Sequence, residues 1–235
     1  MAALTKQLGD EEVEVKIFGT YPRCAFNKPR LRTIGVIGGT GQMGGWFHKF
    51  FSAAGYTVLI SGRRTPLTYE QCIAQSDVVI INVPIRHTVD VIRAVGGCFR
   101  AGQLIADNTS IKTQPVAAML ETVPPGVEVL GMHTVFGPAV DNLRQQNVIF
   151  TRTPASGELA REFEDIFYKY GAKITYTTPE YHDKQMALHQ NLEHFTKIVL
   201  AHILRTHFGD PTELDSYSSP NSRASLITMG RILNA

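Results

Sequence analysis

The sequence predicts an α/β fold, a doubly wound parallel sheet followed by a shortened all-helical C-terminal domain. Three observations lead there. From residue 33 onward, short apolar runs alternate with helical patterns. The runs are continuously apolar, which suits strands of a parallel sheet covered on both faces. Beyond Pro179 the strand signal stops and a helical one takes over.

Taken in order, residues 1–32 form an irregular N-terminal extension, with a charged run at Glu11–Lys16 and no clear period. Strands are expected at Ile34–Ile37, Thr57–Ile60, Asp77–Val83, Gln103–Asp107 and Val127–Leu130. Between the first two, Met43, Trp46, Phe47, Phe50, Phe51 and Ala54 fall on one helical face. Two further strands follow at Asn147–Phe150 and Lys173–Tyr176, with a helix from about Gly157 to Tyr170 between them. After Pro179 the helical pattern runs for roughly 30 residues, longer than an ordinary globular helix, until Gly209-Asp-Pro211 ends it. A last segment is interrupted at Ser218-Ser-Pro220. This gives an extension at 1–32, a dinucleotide-binding domain at 33–178 and a helical substrate and dimerisation domain at 179–235. The last is too small to fold comfortably alone. It either pairs with another chain or belongs to a longer protein.

Composition narrows the function. Hydrophobic residues make up 43% and charged residues 19% of the 235, enough for a packed core. The 23 basic and 21 acidic side chains leave a net charge of +2, unlike the strongly basic face of a nucleic-acid binder. No apolar run approaches the roughly 18 residues needed to span a bilayer, and the N-terminus lacks an apolar signal region. A cytoplasmic protein is expected. Cys24, Cys72 and Cys98 have no CxxC spacing, and the histidines form no HExxH or other metal pattern, so no metal is expected.

The sharpest motif is Gly39-Thr40-Gly41-Gln42-Met43-Gly44, a GxGxxG turn directly after a strand and opening the amphipathic helix. The first glycine allows a tight turn, the second lets a pyrophosphate approach the backbone, and the third permits close helix–strand packing. In this setting it predicts a Rossmann-type dinucleotide site. The end of the second strand reads Ile60-Ser61-Gly62-Arg63-Arg64, with no acid to bind a ribose 2′-OH. Ser61 can donate to a 2′-phosphate, and Arg63 or Arg64 can neutralise it. NADP is therefore the expected cofactor.

Polar residues also gather just past other strand ends, where open α/β sheets bind ligands. They are Asp107-Asn-Thr-Ser110-Ile-Lys112, Gly131-Met-His133-Thr-Val-Phe-Gly137-Pro138, and His182-Asp183 through Gln190 to His194. With Asn82-Val-Pro-Ile85, Ser218-Ser-Pro220, Arg223 and Gly230-Arg231, in this order and spacing, the sequence resembles the prephenate dehydrogenase family from about Ile34 to its end.

The resemblance implies oxidative decarboxylation of a cyclohexadienyl acid such as prephenate, arogenate or an aminated prephenate. It implies that His133 takes the hydroxyl proton as hydride leaves, a task suited to imidazole. By the same resemblance, Ser110 hydrogen-bonds the substrate hydroxyl or orients His133; its other role would be to cap the following helix. Arg231 matches the arginine that grips the side-chain carboxylate, and Arg223 is a second candidate. Gln190 and His194, four apart, are expected on one helical face toward the substrate. Lys112 is expected to be solvated or capping, and Asn108 and Thr109 to lie near the nicotinamide ribose. A homodimer through the C-terminal helices is expected.

Two departures stand out. Thr134 occupies the place where the family commonly has proline. The sequence ends at Ala235, soon after Arg231, where family members continue with further helices, so the chain is expected to be either trimmed or a reduced member. Two other readings compete: a non-catalytic NADP-binding module, and a deazaflavin-dependent NADP reductase with a similar turn and strand end. The second leaves His133 with Gly137-Pro138 unexplained.

Overall fold

The computed structural model describes residues 30–207, 214 and 216–233; the side chains of Arg231 and Leu233 are outside the description. The extension through residue 29 and the Gly209–Pro211 stop also lie outside the described residues. The described chain packs as two units, one ending at Asp183 and one beginning at Lys184. The sequence pattern had suggested a break at Thr178. The packing carries His182 and Asp183 into the first unit because their side chains bond to residues of that unit.

Seven strands form one sheet: β1 Thr33–Ile37, β2 Thr57–Ser61, β3 Val78–Ile81, β4 Leu104–Asp107, β5 Glu128–Thr134, β6 Asn147–Arg152 and β7 Lys173–Tyr176. Their order is β2-β1-β3-β4-β5-β6-β7. The β5–β6 pair is antiparallel, with Thr134 opposite Val148. The expected doubly wound sheet is thus present and mostly parallel, with this one reversal. Residues 135–146 contain no crossover helix, so the chain returns directly alongside β5. The other pairs are parallel.

Helices cover both faces. On one lie α1 (Gln42–Ala53) and α5 (Glu158–Lys169), whose Phe47, Phe51, Phe163 and Phe167 are buried against Val36, Ile80 and Phe150. On the other lie α2 (Tyr69–Ala74), α3 (Ile85–Val95) and α4 (Thr113–Thr122), burying Ile73, Ile92 and Met119 against Ile81 and Ile105. Each fully buried phenylalanine contributes about 1.5–3 kcal/mol. Of the six residues read for the α1 face, Trp46, Phe47 and Phe51 are buried, Met43 and Phe50 pack at the edge, and Ala54 is the C-cap just past the helix.

Two helix starts are capped by carboxylates distant in sequence. Glu128 of β5 accepts from the backbone N–H of Gly157, Leu159 and Ala160 at the head of α5. Asp183 does the same for α4, accepting from Lys112 N at 2.7 Å and Thr113 N at 2.9 Å. Such donors have no partner within their own helix, and a carboxylate there also meets the positive end of the helix dipole.

Helix α6 (Pro179–Met186) leads into a π-helical turn at Ala187–Asn191, then α7 (Leu192–His207). The last described helix is α8 (Pro220–Leu233). Within the second unit α7 packs against α8.

Candidate functional site

The chain reverses direction of growth at β1: β2 lies on one side and β3 on the other. Open α/β sheets bind ligands at such a switch, beyond the carboxyl ends of the strands. A cleft of about 410 Å³ lies there, lined by the Gly38–Met43 turn, Gly62, Arg63, Tyr69 and Asn82 to Pro84. An adjoining cavity of about 400 Å³ shares Arg63, Tyr69, Val83 and Pro84 and runs along α3 past Arg86 and His87.

The glycines of the turn do separate jobs. The left-handed conformation falls at Gly38 (φ +86°), one residue before the motif, where a Cβ would also lie 2.2 Å from Asn82 O. Gly39 is held against β2, and a Cβ there would lie 2.3 Å from Ile60 Cγ2. Gly44 lets α1 close onto the turn; its Cβ would meet Gly39 Cα at 2.5 Å. Gly41 differs. A Cβ there would touch only Gly38 O, at 3.4 Å, so no protein neighbour demands glycine. It is also the N-cap of α1 with no side-chain cap bond, leaving first-turn N–H groups directed outward. A bare cradle at a helix N-terminus suits a pyrophosphate.

The other cofactor candidates sort clearly. Arg63 is exposed and lines the cleft; Arg64 is exposed beside it but does not line it. Ser61 requires a correction. It is fully buried, and its hydroxyl donates to Leu67 O at 2.6 Å, pinning the loop after β2. Its hydroxyl proton is therefore already committed to the loop rather than free for a ligand. Its carbonyl accepts from Gly38 N and Gly39 N, so Ser61 fastens the glycine turn to β2.

The second half of the site stands at the carboxyl end of β5. Gly131 pairs with Asp107, the last residue of β4, so β5 projects three further residues, ending His133 and Thr134. His133, read as following the strand, is within it and 3% exposed. Its Nδ1 lies 3.0 Å from His182 Nε2, and His182 Nδ1 lies 2.8 Å from Asp183 Oδ1. Its Nε2 has no hydrogen-bond partner among the described residues. Burial first, then the nearby His182 and Lys112, push the His133 pKa down to about 3.

Lys112 contradicts its expected solvated role. Its side chain is fully buried, its ammonium pairs with the equally buried Asp107, and it donates to Met132 O at 2.7 Å. Burial lowers its pKa, while Asp107 opposes that shift. Thr109, expected near the ribose, is instead buried with its hydroxyl on Asp107 and Ile111 O. Asn108 is half-buried and ties three strand ends together. Its Nδ2 donates to Asn82 Oδ1 at 3.2 Å, and its Oδ1 accepts from Thr134 N at 3.1 Å and Thr134 Oγ1 at 3.0 Å. A proline at 134 would have no N–H for that bond, so threonine here is integral to the network.

Ser110 does not cap α4; Asp183 takes that role, and the N-cap position is Lys112. Ser110 is half-buried, with no hydroxyl partner among the described residues. In the second unit, Gln190 lies in the π-helical turn and His194 in α7, so the simple four-residue face expected for them is interrupted. Both are half-buried. Arg223 is exposed on α8. The side chain of Arg231 is outside the described residues. His182, Asp183, Lys112 and Asp107 stand in the polar segments the sequence singled out, but the sequence assigned none of them a role in the site.

Residues 63–176 match the family described as "Prephenate dehydrogenase, nucleotide-binding domain". The "Probable arogenate/prephenate dehydrogenase" of Methanocaldococcus jannaschii is 34% identical over 217 residues, covering 86% of this chain and 49% of its own. The chain belongs to the prephenate dehydrogenase family. The "T-protein" of Haemophilus influenzae is 33% identical, over 86% of this chain and 53% of its own length. The chain thus spans about half the length of these curated relatives. The fold also matches the prephenate dehydrogenase of A. aeolicus, solved with hydroxyphenyl propionate and NAD+. Its TM-score is 0.67 at 19% identity, over 87% of this chain and 79% of that one. No helix among the described residues is long and apolar enough to cross a membrane.

Proposed function

We propose that this chain forms the cofactor-binding and catalytic part of an NADP-dependent dehydrogenase for prephenate or a close analogue (arogenate or an aminated prephenate), working in the cytoplasm as a homodimer. The observation that carries the reading is one arrangement. The carboxyl edge of a single sheet presents a side-chain-free cradle at Gly41 and a neutral imidazole at His133 with an unengaged Nε2.

The bound nicotinamide supplies a hydride acceptor for the ring carbon bearing the hydroxyl, while the ring carboxylate leaves as carbon dioxide and the ring becomes aromatic. The Gly38–Gly44 turn and the first turn of α1 hold the pyrophosphate. Arg63 meets the 2′-phosphate, with Arg64 as its exposed neighbour. Asn82 and Asn108 stiffen the strand ends beside the reacting carbon. His133 accepts the hydroxyl proton at Nε2. Its depressed pKa is compatible with this task, because a hydroxyl losing hydride from its own carbon becomes strongly acidic. A substrate carboxylate nearby would also favour the imidazolium. Ser110 offers a hydroxyl to the substrate oxygen, and the resemblance to the family assigns Gln190, His194, Arg223 and Arg231 to substrate binding, with Arg231 for the side-chain carboxylate.

The dimer rests on α7 and the turn before it. Leu188, Leu192, Phe195, Val199 and Ile203 are exposed large apolar residues at near-heptad spacing, the pattern of a helix that buries a seam against another helix.

The test offers prephenate and arogenate, each with NADP and with NAD, and follows reduced nicotinamide by absorbance. Formation of NADPH with one substrate supports the reading. Absence of reduction in all four pairs and with aminated prephenate, with NADP still bound, contradicts it.

A further inference from the structure

We infer that His182 and Asp183 are positioning residues that fix the tautomer of His133, so that its proton rests on Nδ1 and its lone pair on Nε2. The function of that lone pair rests on the dehydrogenase reading above; the tautomer itself does not.

The inference follows from which atoms can donate. An ionised carboxylate only accepts. Burial would raise the Asp183 pKa, but hydrogen bonds from Thr113, His182 and Lys112 outweigh it and hold the carboxyl below its usual range. Asp183 is therefore an anion at the head of α4. Its Oδ1 lies 2.8 Å from His182 Nδ1, so that nitrogen carries a proton. Burial keeps His182 neutral, since its pKa is lowered despite Asp183. A neutral imidazole protonated at Nδ1 has its lone pair at Nε2. That lone pair faces His133 Nδ1 at 3.0 Å, which must be the donor. His133 then has only Nε2 left as a base.

The carboxylate is itself immobilised. Asp183 Oδ1 accepts from Lys112 N at 2.7 Å and Oδ2 from Thr113 N at 2.9 Å, so the start of α4 sets the orientation of both rings. When Nε2 takes a proton, the imidazolium still donates through Nδ1 to His182, and the Asp183 anion stands at the far end of the chain. The two rings meet edge to face at 70°, which leaves that line of bonds intact.

The experiment is a two-bond proton–nitrogen correlation spectrum of the chain labelled with 15N-histidine, near neutral pH. Both His133 and His182 are expected as neutral Nδ1–H tautomers. His133 protonated on Nε2 in the unaltered chain would overturn the inference. In Asp183→Ala the acceptor that holds the proton on His182 Nδ1 is removed, so neither ring's tautomer is fixed and His133 protonated on Nε2 becomes populated. In that variant kcat should fall roughly tenfold or more with little change in KM, the effect of a base no longer held in the productive tautomer. His182→Gln is expected to keep His133 as Nδ1–H, because the glutamine oxygen can still accept. A His133 held exclusively as Nδ1–H in folded Asp183→Ala would contradict the inference. If that variant does not fold, the spectra of the unaltered chain and His182→Gln decide. Expected tautomers without turnover on any cyclohexadienyl acid would support this inference and overturn the substrate reading. The wrong tautomer with normal turnover would overturn this inference alone.

Discussion

Lys112 and Asp107 form an ion pair in which neither side chain retains any exposure to water. The pair sits directly behind His133: Lys112 also donates to the carbonyl of Met132, the preceding residue of β5. Such a pair gains little over an apolar pair of similar size, but removing one partner strands the other charge. Lys112→Ala should therefore destabilise the protein by about 3–5 kcal/mol, read as a lower urea midpoint. A loss under about 1 kcal/mol, the value of an exposed pair, would show that Lys112 reaches water.

The glycine turn predicts two opposite phenotypes. Gly44→Ala forces a Cβ into the backbone of Gly39 and should cost about 1–3 kcal/mol of stability. Gly41→Ala meets no comparable obstacle, so its stability should change little while dinucleotide binding is largely lost. Thermal unfolding and dinucleotide titration, measured on both variants, separate the two effects. Equal binding by Gly41→Ala and the unaltered chain would remove the cradle from the account.

Arg63 lines the cofactor cleft, whereas Ser61 is turned inward. Arg63→Ala should weaken NADP binding by roughly ten- to hundredfold, corresponding to the 1.5–3 kcal/mol of a hydrogen bond to a charged group. NAD binding should hardly change, and adding Arg64→Ala should deepen the loss. Ser61→Ala should leave the NADP-to-NAD ratio as it was. Parallel loss of both cofactors in Arg63→Ala would contradict the phosphate assignment.

Stability should depend on pH through His133. Its folded pKa is pushed down to about 3 from the ordinary imidazole value of 6.5, chiefly because of burial. The unfolded chain therefore binds the extra proton between those values. The stabilisation is complete above 6.5 and is lost progressively as pH falls toward about 3. His182 shifts in the same direction. The urea midpoint should fall between about pH 7 and about pH 5, and less so in His133→Asn. An unaltered chain with the same midpoint at both values would show that His133 is not desolvated.

What the sequence made legible follows from how local each signal is. The α1 face and the GxGxxG turn depend on a few neighbouring residues, and both are present in the fold. The continuous apolar runs located the strands, because burial on both faces leaves no alternation. The β5–β6 reversal was not legible, since it depends on the absence of a helix in residues 135–146, a stretch without a strong pattern. Lys112 read as surface because nothing local shows that β4 and β5 close Asp107 and the Met132 carbonyl around it. Ser61 read as a ligand donor for the same reason: its acceptor, Leu67 O, is set by the path of a loop. His133 was found by motif, but its partner is 49 residues away, and only the folded sheet brings α6 to the end of β5.

The central claim is that Nε2 of His133 removes the proton from the substrate while the glycine turn holds the cofactor independently. Comparing His133→Asn with the unaltered chain, for both turnover on prephenate or arogenate and dinucleotide affinity, tests it most directly. The account predicts a fall in kcat of roughly 10²–10⁴-fold with the NADP dissociation constant unchanged. Near-normal turnover in His133→Asn would contradict it.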